Sequence, residues 1–342
     1  MKALVIGVTG QDGSLLADEL LRRGFEVEGT FRRGSNDKFW RLTDLGIYDK
    51  IKLHIYNIGS EANIGELLHK ICPDLIFVVA GESFTELSFE EPKHYLDTNT
   101  GGAIEILEAV KNFAPKAKVF LAGSSEIFGS QKPETLVLNE DSDKNPTNPY
   151  GVSKLALTHF GRVYREKFGL EIYTGILFPH ESQYRGKEFV TRKIARGLVR
   201  SSVQNAIPMV LRGTDMKRDW GAARDYVNWM VDLVTVGNPN EYVFASGINS
   251  SVRQFLQLCL DALNIEIIEE VDPISGRTSF INARDGQVLI YSDPSLTMRN
   301  GQTYPPGSNS RLLGEIGQRQ GTPLATIAHE MVISEIAWLE KL

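Results

Sequence analysis

The sequence predicts an α/β fold in which a doubly wound parallel sheet forms the first half and a smaller α+β lobe follows. Short apolar segments alternate with helical patterns up to about Phe178. These segments are apolar almost without interruption, which is typical of parallel strands covered by helices on both faces. Past Phe178 the alternation loosens. We therefore predict one domain at residues 1–178 and a second lobe at 179–342, with the chain able to cross between them.

Hydrophobic periodicity predicts the individual elements. Six segments of the first half predict strands, in the order KALVIGV, EVEGTF, KLHIY, DLIFVVA, KVFLAGS and EIYTGILF. Four segments with apolar residues three and four apart predict the intervening helices: GSLLADELLRRG, NIGELLHKIC, TGGAIEILEAVKNFA and SKLALTHFGRVYREKFG. The second lobe predicts the helices EFVTRKIARGLVRSS, ARDYVNWMVDLVTVG and VRQFLQLCLDALN and the strand EYVFASG. Residues 299–323, rich in Gly, Pro, Ser and Asn, predict a flexible segment of unassigned role before the closing helix LATIAHEMVISEIAWLEKL.

Composition excludes several classes of protein. The 342 residues carry a formal charge of -6, and Lys and Arg are scattered along the chain, so we expect no nucleic-acid partner. The two cysteines, Cys72 and Cys259, lie in unrelated apolar contexts, so we expect neither a disulfide framework nor a metal site. A signal-peptide core and a membrane-length apolar segment are both missing from the sequence. We expect a cytoplasmic protein without membrane contact.

A glycine motif follows the first predicted strand. Gly7, Gly10 and Gly13 are spaced three and three, directly before an amphipathic helix. Glycines at these places permit a tight turn and bring backbone N–H groups and a helix N-terminus against a pyrophosphate. The alternative is a plain turn between strand and helix. We predict a Rossmann-type dinucleotide site that includes Gly7, Thr9, Gly10, Gln11, Asp12 and Gly13.

The end of the second predicted strand indicates which dinucleotide binds. The segment FEVEGTF has no terminal Asp or Glu to accept a hydrogen bond from a ribose 2′-hydroxyl, and it continues into Arg32, Arg33 and Ser35. Two guanidinium groups and a hydroxyl suit a 2′-phosphate. Solvated arginines in a loop are the alternative. The sequence favours NADP over NAD.

A tyrosine and a lysine begin the long helix that follows. Tyr150 and Lys154 are four residues apart and share a helix face, so the ammonium is expected to lower the pKa of the phenol from about 10 toward neutral pH. Such a tyrosine takes a proton from a sugar hydroxyl while the neighbouring carbon gives hydride to a nicotinamide. This spacing is common by chance, but here it follows a dinucleotide motif and a strand that ends at Ser124. We predict Ser124, Tyr150 and Lys154 as the hydride-transfer set.

Glu126 distinguishes the reactions open to that set. In an extended backbone Ser124 and Glu126 point to the same side and Ser125 points away. Once C4 of a hexose is a ketone, a carboxylate near C5 can remove the acidic proton there and help to expel the C6 hydroxyl as water. An exposed loop carboxylate is the alternative. The interpretation we favour is a sugar-nucleotide 4,6-dehydratase cycle in which NADP is regenerated.

Beyond these motifs, the chain resembles the GDP-mannose 4,6-dehydratase family of the extended short-chain dehydrogenase/reductase superfamily, as a divergent member. Segments that carry the resemblance, in order, are GVTGQDGSLLADELLRRGFEVEGTFRR, SSEIFG, NPYGVSK, GILFPHES, RGKEFVTRKI and KRDWGAARDYV. The resemblance implies catalytic Ser124, Glu126, Tyr150 and Lys154, a GDP-sugar substrate, and a homodimer or homotetramer. It implies further cofactor residues Asn57, Ile58, Ala80, His180 and Arg185, and substrate residues Glu82, Ser83, Pro179, Glu181, Val190, Lys193 and Arg218.

Departures from the family pattern surround the predicted sugar site. Pro179 stands where the family has an asparagine, and it offers neither an amide side chain nor an N–H group. Glu82 and Phe84 stand where the family has glutamine and histidine, while Ser83 is retained. These changes indicate altered substrate choice with retained chemistry, and a different hexose, a heptose or another base stays open. Two other functions also stay open: a 4-keto-sugar reductase or epimerase, and a non-catalytic NADP-binding regulator.

Overall fold

The structure is a computed structural model that describes residues 1–34, 39–58, 64–131, 136–204, 207–296 and 304–340. Its strands are β1 (Lys2–Ile6), β2 (Glu26–Phe31), β3 (Lys52–Ile55), β4 (Leu75–Val78), β5 (Lys118–Ala122), β6 (Ile172–Leu177), β7 (His180–Glu181), β8 (Met209–Leu211), β9 (Lys217–Asp219), β10 (Gly221–Ala222), β11 (Glu241–Phe244), β12 (Asn249–Ser251), β13 (Ile267–Val271), β14 (Thr278–Asn282) and β15 (Val288–Ser292). Its α-helices are α1 (Gln11–Arg22), α2 (Trp40–Asp44), α3 (Ile64–Ile71), α4 (Pro92–Leu96), α5 (Gly102–Phe113), α6 (Pro149–Phe168), α7 (Val190–Gln204), α8 (Ala223–Val236), α9 (Val252–Leu263), α10 (Ser310–Ile316) and α11 (Leu324–Leu339).

A large parallel sheet organises the first half. Within the described residues its strand order is β11-β6-β5-β4-β1-β2-β3, and every neighbouring pair is parallel. Side chains of β1 alternate between the faces: Ala3 and Val5 join one apolar cluster, and Leu4 and Ile6 join another. This alternation with burial on both sides explains the continuous apolar segments of the sequence. The doubly wound prediction is confirmed.

Helices cover both faces of this sheet. Residues of α1, α8 and α10 contribute to the cluster on one face, and residues of α3, α5 and α6 contribute to the other. The chain returns to the sheet after residue 178, because β11 pairs with β6 and α8 packs against α1. The predicted strand EYVFASG therefore forms, but it completes the large sheet instead of belonging to the second lobe. The division at residue 178 stays a prediction.

The second lobe has its own core. The helices α7, α9 and α11 pack together beside a sheet in the order β13-β14-β15-β8. The predicted closing helix corresponds to α11, whereas β13, β14 and β15 were not predicted. Residues 297–303, which include part of the segment predicted to be flexible, lie outside the described residues, and the rest of that segment contains α10.

One buried aspartate ties three distant segments together. Asp219, at the end of β9, accepts hydrogen bonds from the N–H and hydroxyl of Ser246 at 2.8 and 2.6 Å. Its second oxygen accepts from the N–H groups of Gly247 and Gly307 at 2.9 and 3.0 Å. A carboxylate suits this position because four donors converge on it.

Candidate active site

A cleft of about 830 Å³ opens at the carboxyl ends of the central strands of the large sheet, facing the second lobe. Ligands of open parallel sheets bind at this edge, where βα loops converge. Many predicted site residues line the cleft: Gly10, Gln11, Asp12, Gly13, Glu82, Ser83, Ser124, Glu126, Tyr150, Lys154, Pro179, His180, Glu181, Arg185, Val190, Lys193 and Arg218. The structure therefore brings the predicted catalytic set, part of the glycine motif and the predicted substrate residues into one space.

Two glycines of the turn, Gly7 and Gly13, leave no room for a side chain. Gly7 has a φ of +98°, and a Cβ there would lie 2.7 Å from the backbone nitrogen of Ala80. A Cβ at Gly13 would lie 2.1 Å from the carbonyl oxygen of Gly7. The helix α1 begins after Gly10 without a side-chain cap, so its first N–H groups face the cleft, as an anion site requires. Next to the turn, the carbonyl of Thr9 accepts a hydrogen bond from Arg41 at 3.0 Å.

The predicted adenosine-side residues lie at the ends of β2 and β3. Arg32 has a side chain that is 73% exposed, and the N–H of Arg33 donates to Asn57 Oδ1 at 3.0 Å. Ile58 is half-buried beside Asn57. Ser35 lies outside the described residues. The two arginines thus stand at the strand end where the ribose of a dinucleotide is read, and their role there stays a prediction.

The backbone after β5 turns instead of staying extended. Residues Ser125–Ile127 form one turn of 3₁₀ helix, and Ser124 Oγ caps it by accepting the N–H of Glu126 at 3.2 Å. Ser124, Ser125 and Glu126 all line the cleft. The prediction that Ser124 and Glu126 share the cleft agrees with the structure. The alternation argument behind it was wrong, because the backbone turns there and Ser125 lines the cleft as well.

Asn148 fixes the position of Glu126, and the sequence analysis missed it. Its Nδ2 donates to Glu126 Oε2 at 2.6 Å, while its Oδ1 accepts the N–H of Gly151 at 2.7 Å. Asn148 is therefore the N-cap of α6, and the same amide joins the carboxylate to the helix that carries Tyr150. The signal was present, because asparagine followed by Pro149 is a typical helix start.

The ionisation of Tyr150 and Lys154 differs from the prediction. Burial raises the pKa of Tyr150 to about 12, although a hydrogen bond with Ser124 and the charge of Arg185 act to lower it. Burial lowers the pKa of Lys154 to about 8, against the opposing effect of Asp12. Lys154 Nζ donates to the carbonyl of Ala122 at 2.8 Å. The predicted lowering of the phenol pKa was therefore wrong in direction: burial outweighs the groups that act to lower it, among which Ser124 and Arg185 are prominent.

A buried ion pair joins the glycine turn to β7. Both carboxylate oxygens of Asp12 lie 3.0 Å from His180 Nε2, and His180 Nδ1 donates to the carbonyl of Phe178 at 2.7 Å. Burial would raise the pKa of Asp12, but the charge and hydrogen bond of His180 lower it to about 2. Burial would likewise lower the pKa of His180, but Asp12 raises it overall. The pair is favoured in its ionised form.

The loop after β7 forms one wall of the cleft. Glu181 Oε2 accepts the hydroxyl of Thr191 at 2.5 Å and lies 3.3 Å from Arg185 Nε. The guanidinium of Arg185 stacks 3.5 Å from the ring centre of Phe189, whose ring meets Phe84 edge to face at 6.1 Å. The departure at Phe84 thus gives the cleft an aromatic wall.

Cations of the second lobe also line the cleft. Val190 and Lys193 lie at the start of α7, and Arg218 stacks 3.8 Å from the ring centre of Tyr304. The neighbouring Arg192 is buried, where it pairs with a glutamate of α11 and donates to the carbonyl of residue 185 at 3.2 Å. Lys193 is exposed and lines the cleft. Arg192 therefore stabilises the fold, whereas Lys193 is available to a ligand.

The remaining predicted substrate residues also line the cleft. Pro179 lines the cleft, and its carbonyl accepts the N–H of Gly221 at 3.0 Å. Ser83 is exposed to the cleft. Glu82 also lines the cleft, but its Oε1 lies 3.2 Å from Arg32 Nη1, on the predicted cofactor side.

The described part of the chain has neither a membrane-spanning helix nor a cluster of metal-binding side chains. None of its helices is long and apolar enough to cross a membrane. In the same described ranges, no group of three or more His, Cys, Asp or Glu side chains is placed to hold a metal ion.

Comparisons with known proteins match this geometry. The model of the GDP-mannose 4,6 dehydratase family matches residues 4–331. GDP-mannose 4,6 dehydratase 1 of Arabidopsis thaliana is 36% identical over 79% of this chain and 77% of its own, and a GDP-mannose 4,6-dehydratase of Vibrio cholerae is 34% identical over 98% and 94%.

Solved structures share the fold at lower identity. A dTDP-glucose 4,6-dehydratase of Bacillus anthracis, solved with NAD, superposes with a TM-score of 0.77 at 16% identity over 100% of this chain and 97% of its own. RMD of Pseudomonas aeruginosa, solved with NADPH, gives 0.75 at 18% identity over 98% and 99%. By its family match and its relatives, the chain belongs to the GDP-mannose 4,6 dehydratase family.

Proposed function

We propose that this protein is an NADP-dependent lyase that converts GDP-mannose, or a related nucleotide sugar, to its 4-keto-6-deoxy derivative. The observation that carries the proposal is the position of Glu126, which Asn148 holds in the same cleft as Ser124 and Tyr150. A simple oxidoreductase needs no carboxylate there, whereas elimination of water does. The names of the relatives support the same reaction.

The residues of the glycine turn fit a nicotinamide dinucleotide. A side chain at Gly7 or Gly13 would collide with backbone atoms, so this turn keeps the close approach that a pyrophosphate needs. Arg32 and Arg33, with no acidic residue at the end of β2, support NADP as the cofactor. A nicotinamide dinucleotide held there would supply hydride chemistry, by which C4 of the sugar would be oxidised and C6 later reduced.

The side chains of the cleft handle the protons. Tyr150 takes the proton of the C4 hydroxyl, with the phenolate favoured by the hydrogen bond from Ser124 and by the charge of Arg185. Lys154 lies on the same helix face, 5.9 Å from the ring centre of Tyr150. Glu126 then takes the C5 proton and gives a proton to the departing C6 hydroxyl, which leaves as water. Once C6 has been reduced, the proton held by Tyr150 would pass to C5, so the phenolate and the carboxylate end in their starting states and the net change is the loss of one water.

The substrate proposal depends on the cations that the second lobe contributes to the cleft. Lys193 and Arg218 would hold a diphosphate, and this is supported by their position in the same cleft as the catalytic residues. A GDP-sugar is favoured by the family to which the chain belongs. The aromatic wall at Phe84 and the absence of an amide at Pro179 support a sugar contact that differs from the family pattern.

The test measures product formation without added reductant. GDP-mannose supplied to the protein, with no NADPH added, should yield a 4-keto product that absorbs in alkali and has lost 18 mass units, the mass of water. A mass-spectrometric panel of nucleotide sugars then ranks substrates. If no sugar nucleotide loses water, the dehydratase proposal fails. Reduction or epimerisation of a 4-keto sugar, without loss of water, favours the reductase or epimerase instead. Tight cofactor binding without turnover of any sugar nucleotide favours a regulator.

A substitution tests the role of Glu126 directly. Glu126→Gln should slow elimination by about two to four orders of magnitude, while hydride transfer at C4 survives as a transient rise in reduced cofactor. Glu188→Gln, which removes the same charge elsewhere in the cleft, is the matched control and should retain activity. Unchanged product formation by Glu126→Gln would show that another group performs the elimination.

We also propose a cytoplasmic homodimer or homotetramer, in line with the habit of the family. Light scattering coupled to gel filtration gives the mass of the assembly, and a monomer of 38.1 kDa would contradict this part of the proposal.

A further inference from the structure

A carboxylate from a neighbouring loop reaches the arginine at the end of β2. Glu82 follows β4, and β1 separates β4 from β2 in the sheet. Even so, Glu82 Oε1 lies 3.2 Å from Arg32 Nη1 and 3.5 Å from His94 Nε2. The side chain of Glu82 is 28% exposed and that of Arg32 is 73% exposed. The carboxylate is therefore the more firmly placed partner.

The backbone of Glu82 is fixed by a buried amide. Its N–H donates to Asn99 Oδ1 at 3.0 Å, and its carbonyl accepts from Asn99 Nδ2 at 3.1 Å. Asn99 Nδ2 also donates to Ser153 Oγ at 3.1 Å inside the protein. The preceding Gly81 allows this approach, because a Cβ there would lie 2.5 Å from Asn99 Oδ1. These contacts involve only main-chain atoms of Glu82, so they would persist if its side chain were changed.

The end of β2 is the place where a dinucleotide site distinguishes its two common cofactors. A carboxylate there accepts a hydrogen bond from the 2′-hydroxyl of NAD, and an arginine there binds the 2′-phosphate of NADP. At the end of β2 the chain has Phe31 followed by Arg32, with no acidic residue at that point. The loop after β4 brings the missing carboxylate to the same point, as Glu82. The site thus contains both recognition groups, paired with each other.

We propose that Glu82 sets the cofactor choice of this protein: its carboxylate competes with a 2′-phosphate for Arg32, so the site accepts NAD as well as NADP. This inference rests on the proposed function, which assigns Arg32 to the 2′-phosphate. Binding of NADP must open the pair of Glu82 and Arg32, whereas NAD leaves it intact and can use the carboxylate for its 2′-hydroxyl. Attraction between two opposite unit charges about 3 Å apart in water corresponds to about a tenfold factor in an equilibrium constant, so giving up the pair should weaken NADP binding by about that factor.

The experiment measures dissociation constants of NADP and NAD by calorimetry, without substrate, so that catalysis does not enter. Glu82→Gln keeps the size of the side chain and places there the residue typical of the family. We expect it to raise the ratio of the NAD to the NADP dissociation constant about tenfold, less at high salt. Glu86→Gln is the matched control, because Glu86 lies on the same loop but pairs with Arg212, the residue that follows β8. It should leave the ratio unchanged.

Arg32→Gln separates this inference from the proposed function. Alone, Arg32→Gln should weaken binding of NADP and leave binding of NAD unchanged. In the double variant, Glu82→Gln should change the ratio of the two dissociation constants less than about threefold, because the guanidinium for which the carboxylate competes has been removed. A ratio that Glu82→Gln alters by less than twofold overturns the inference, and so does a tenfold change that persists without Arg32. If Arg32→Gln leaves NADP binding unchanged, the proposed NADP site itself is wrong. Thermal unfolding of each variant verifies that the fold is retained.

Discussion

Removing the charge of Asp12 should destabilise the protein in a way that depends on pH. The pKa of Asp12 is lowered from 3.8 to about 2, since the charge and hydrogen bond of His180 outweigh burial. That difference corresponds to about 2 kcal/mol of stabilisation at neutral pH. Asp12→Asn keeps the shape of the side chain and removes this contribution. We therefore expect a loss of about 2 kcal/mol in the apparent free energy of unfolding at pH 6.

The pH dependence has a defined sign. Because its folded pKa is lowered, Asp12 contributes stability above pH 3.8 that is lost as the pH falls through about 2. The pKa of His180 is raised above 6.5, so its protonated form contributes below pH 6.5 and this stability is lost as the pH rises through the folded value. Burial lowers the pKa of Lys154 to about 8, and the charge of Asp12 opposes this lowering. Loss of Asp12 therefore also removes a favourable interaction at pH 6, where Lys154 is charged, that is mostly absent at pH 9. The cost of Asp12→Asn should therefore be larger at pH 6 than at pH 9.

Urea unfolding followed by circular dichroism at pH 6 and pH 9 measures this difference. Asp18→Asn is the control on the same helix, because Asp18 pairs at 2.9 Å with Arg224, whose charge is constant over this range. Its cost should be the same at both pH values. Equal costs for Asp12→Asn at pH 6 and pH 9 would refute the argument that the charge of His180 holds the pair together.

Two further substitutions test contacts that support the cleft. Asn148→Asp retains the helix cap but sets a second carboxylate against Glu126, so elimination should slow at least about tenfold with little change in melting temperature. Asn148→Ala also removes the cap, which should lower the free energy of unfolding by about 1 kcal/mol. Wild-type turnover by Asn148→Asp would contradict this account. Asp219→Asn directs an amide N–H at the donors of Gly247 and Gly307, so urea unfolding should show a loss of about 2–4 kcal/mol, and an unchanged midpoint would disprove it.

Most of the large sheet could be predicted because its strands are buried on both faces. Segments such as KALVIGV and DLIFVVA carry this burial in their composition. The strands β13, β14 and β15 were missed because several of their side chains are exposed and their apolar content is interrupted. The sequence feature that could have revealed these strands is a pair of glycines in the connecting hairpin turns, Gly276 and Gly286, where φ is positive. Local sequence indicated turns there, but it did not indicate which strands would pair.

The predicted site residues lie where motifs with fixed spacing place them. Tyr150 and Lys154 share a face because both belong to one helix, and the structure places both in the cleft. The pairs that tune the site were not predicted, since Asp12 with His180 and Glu82 with Arg32 join segments far apart in sequence. The direction of the pKa of Tyr150 was wrong for the same reason: burial is a property of the folded chain, and spacing along a helix does not reveal it.

The late arrival of β11 has a consequence for synthesis of the protein. The edge of β6 is covered only when Glu241–Phe244 pairs with it, more than sixty residues after β6 ends. All six residues of β6 are buried in the folded protein. Until Glu241–Phe244 leave the ribosome, the backbone N–H and C=O groups along one edge of β6 stay unpaired, and such an edge is a template for pairing with other chains. A fragment that stops at residue 178 would keep that edge permanently. Folding of the first half therefore depends on translation of the second, and chaperone contact is expected to be greatest in that interval.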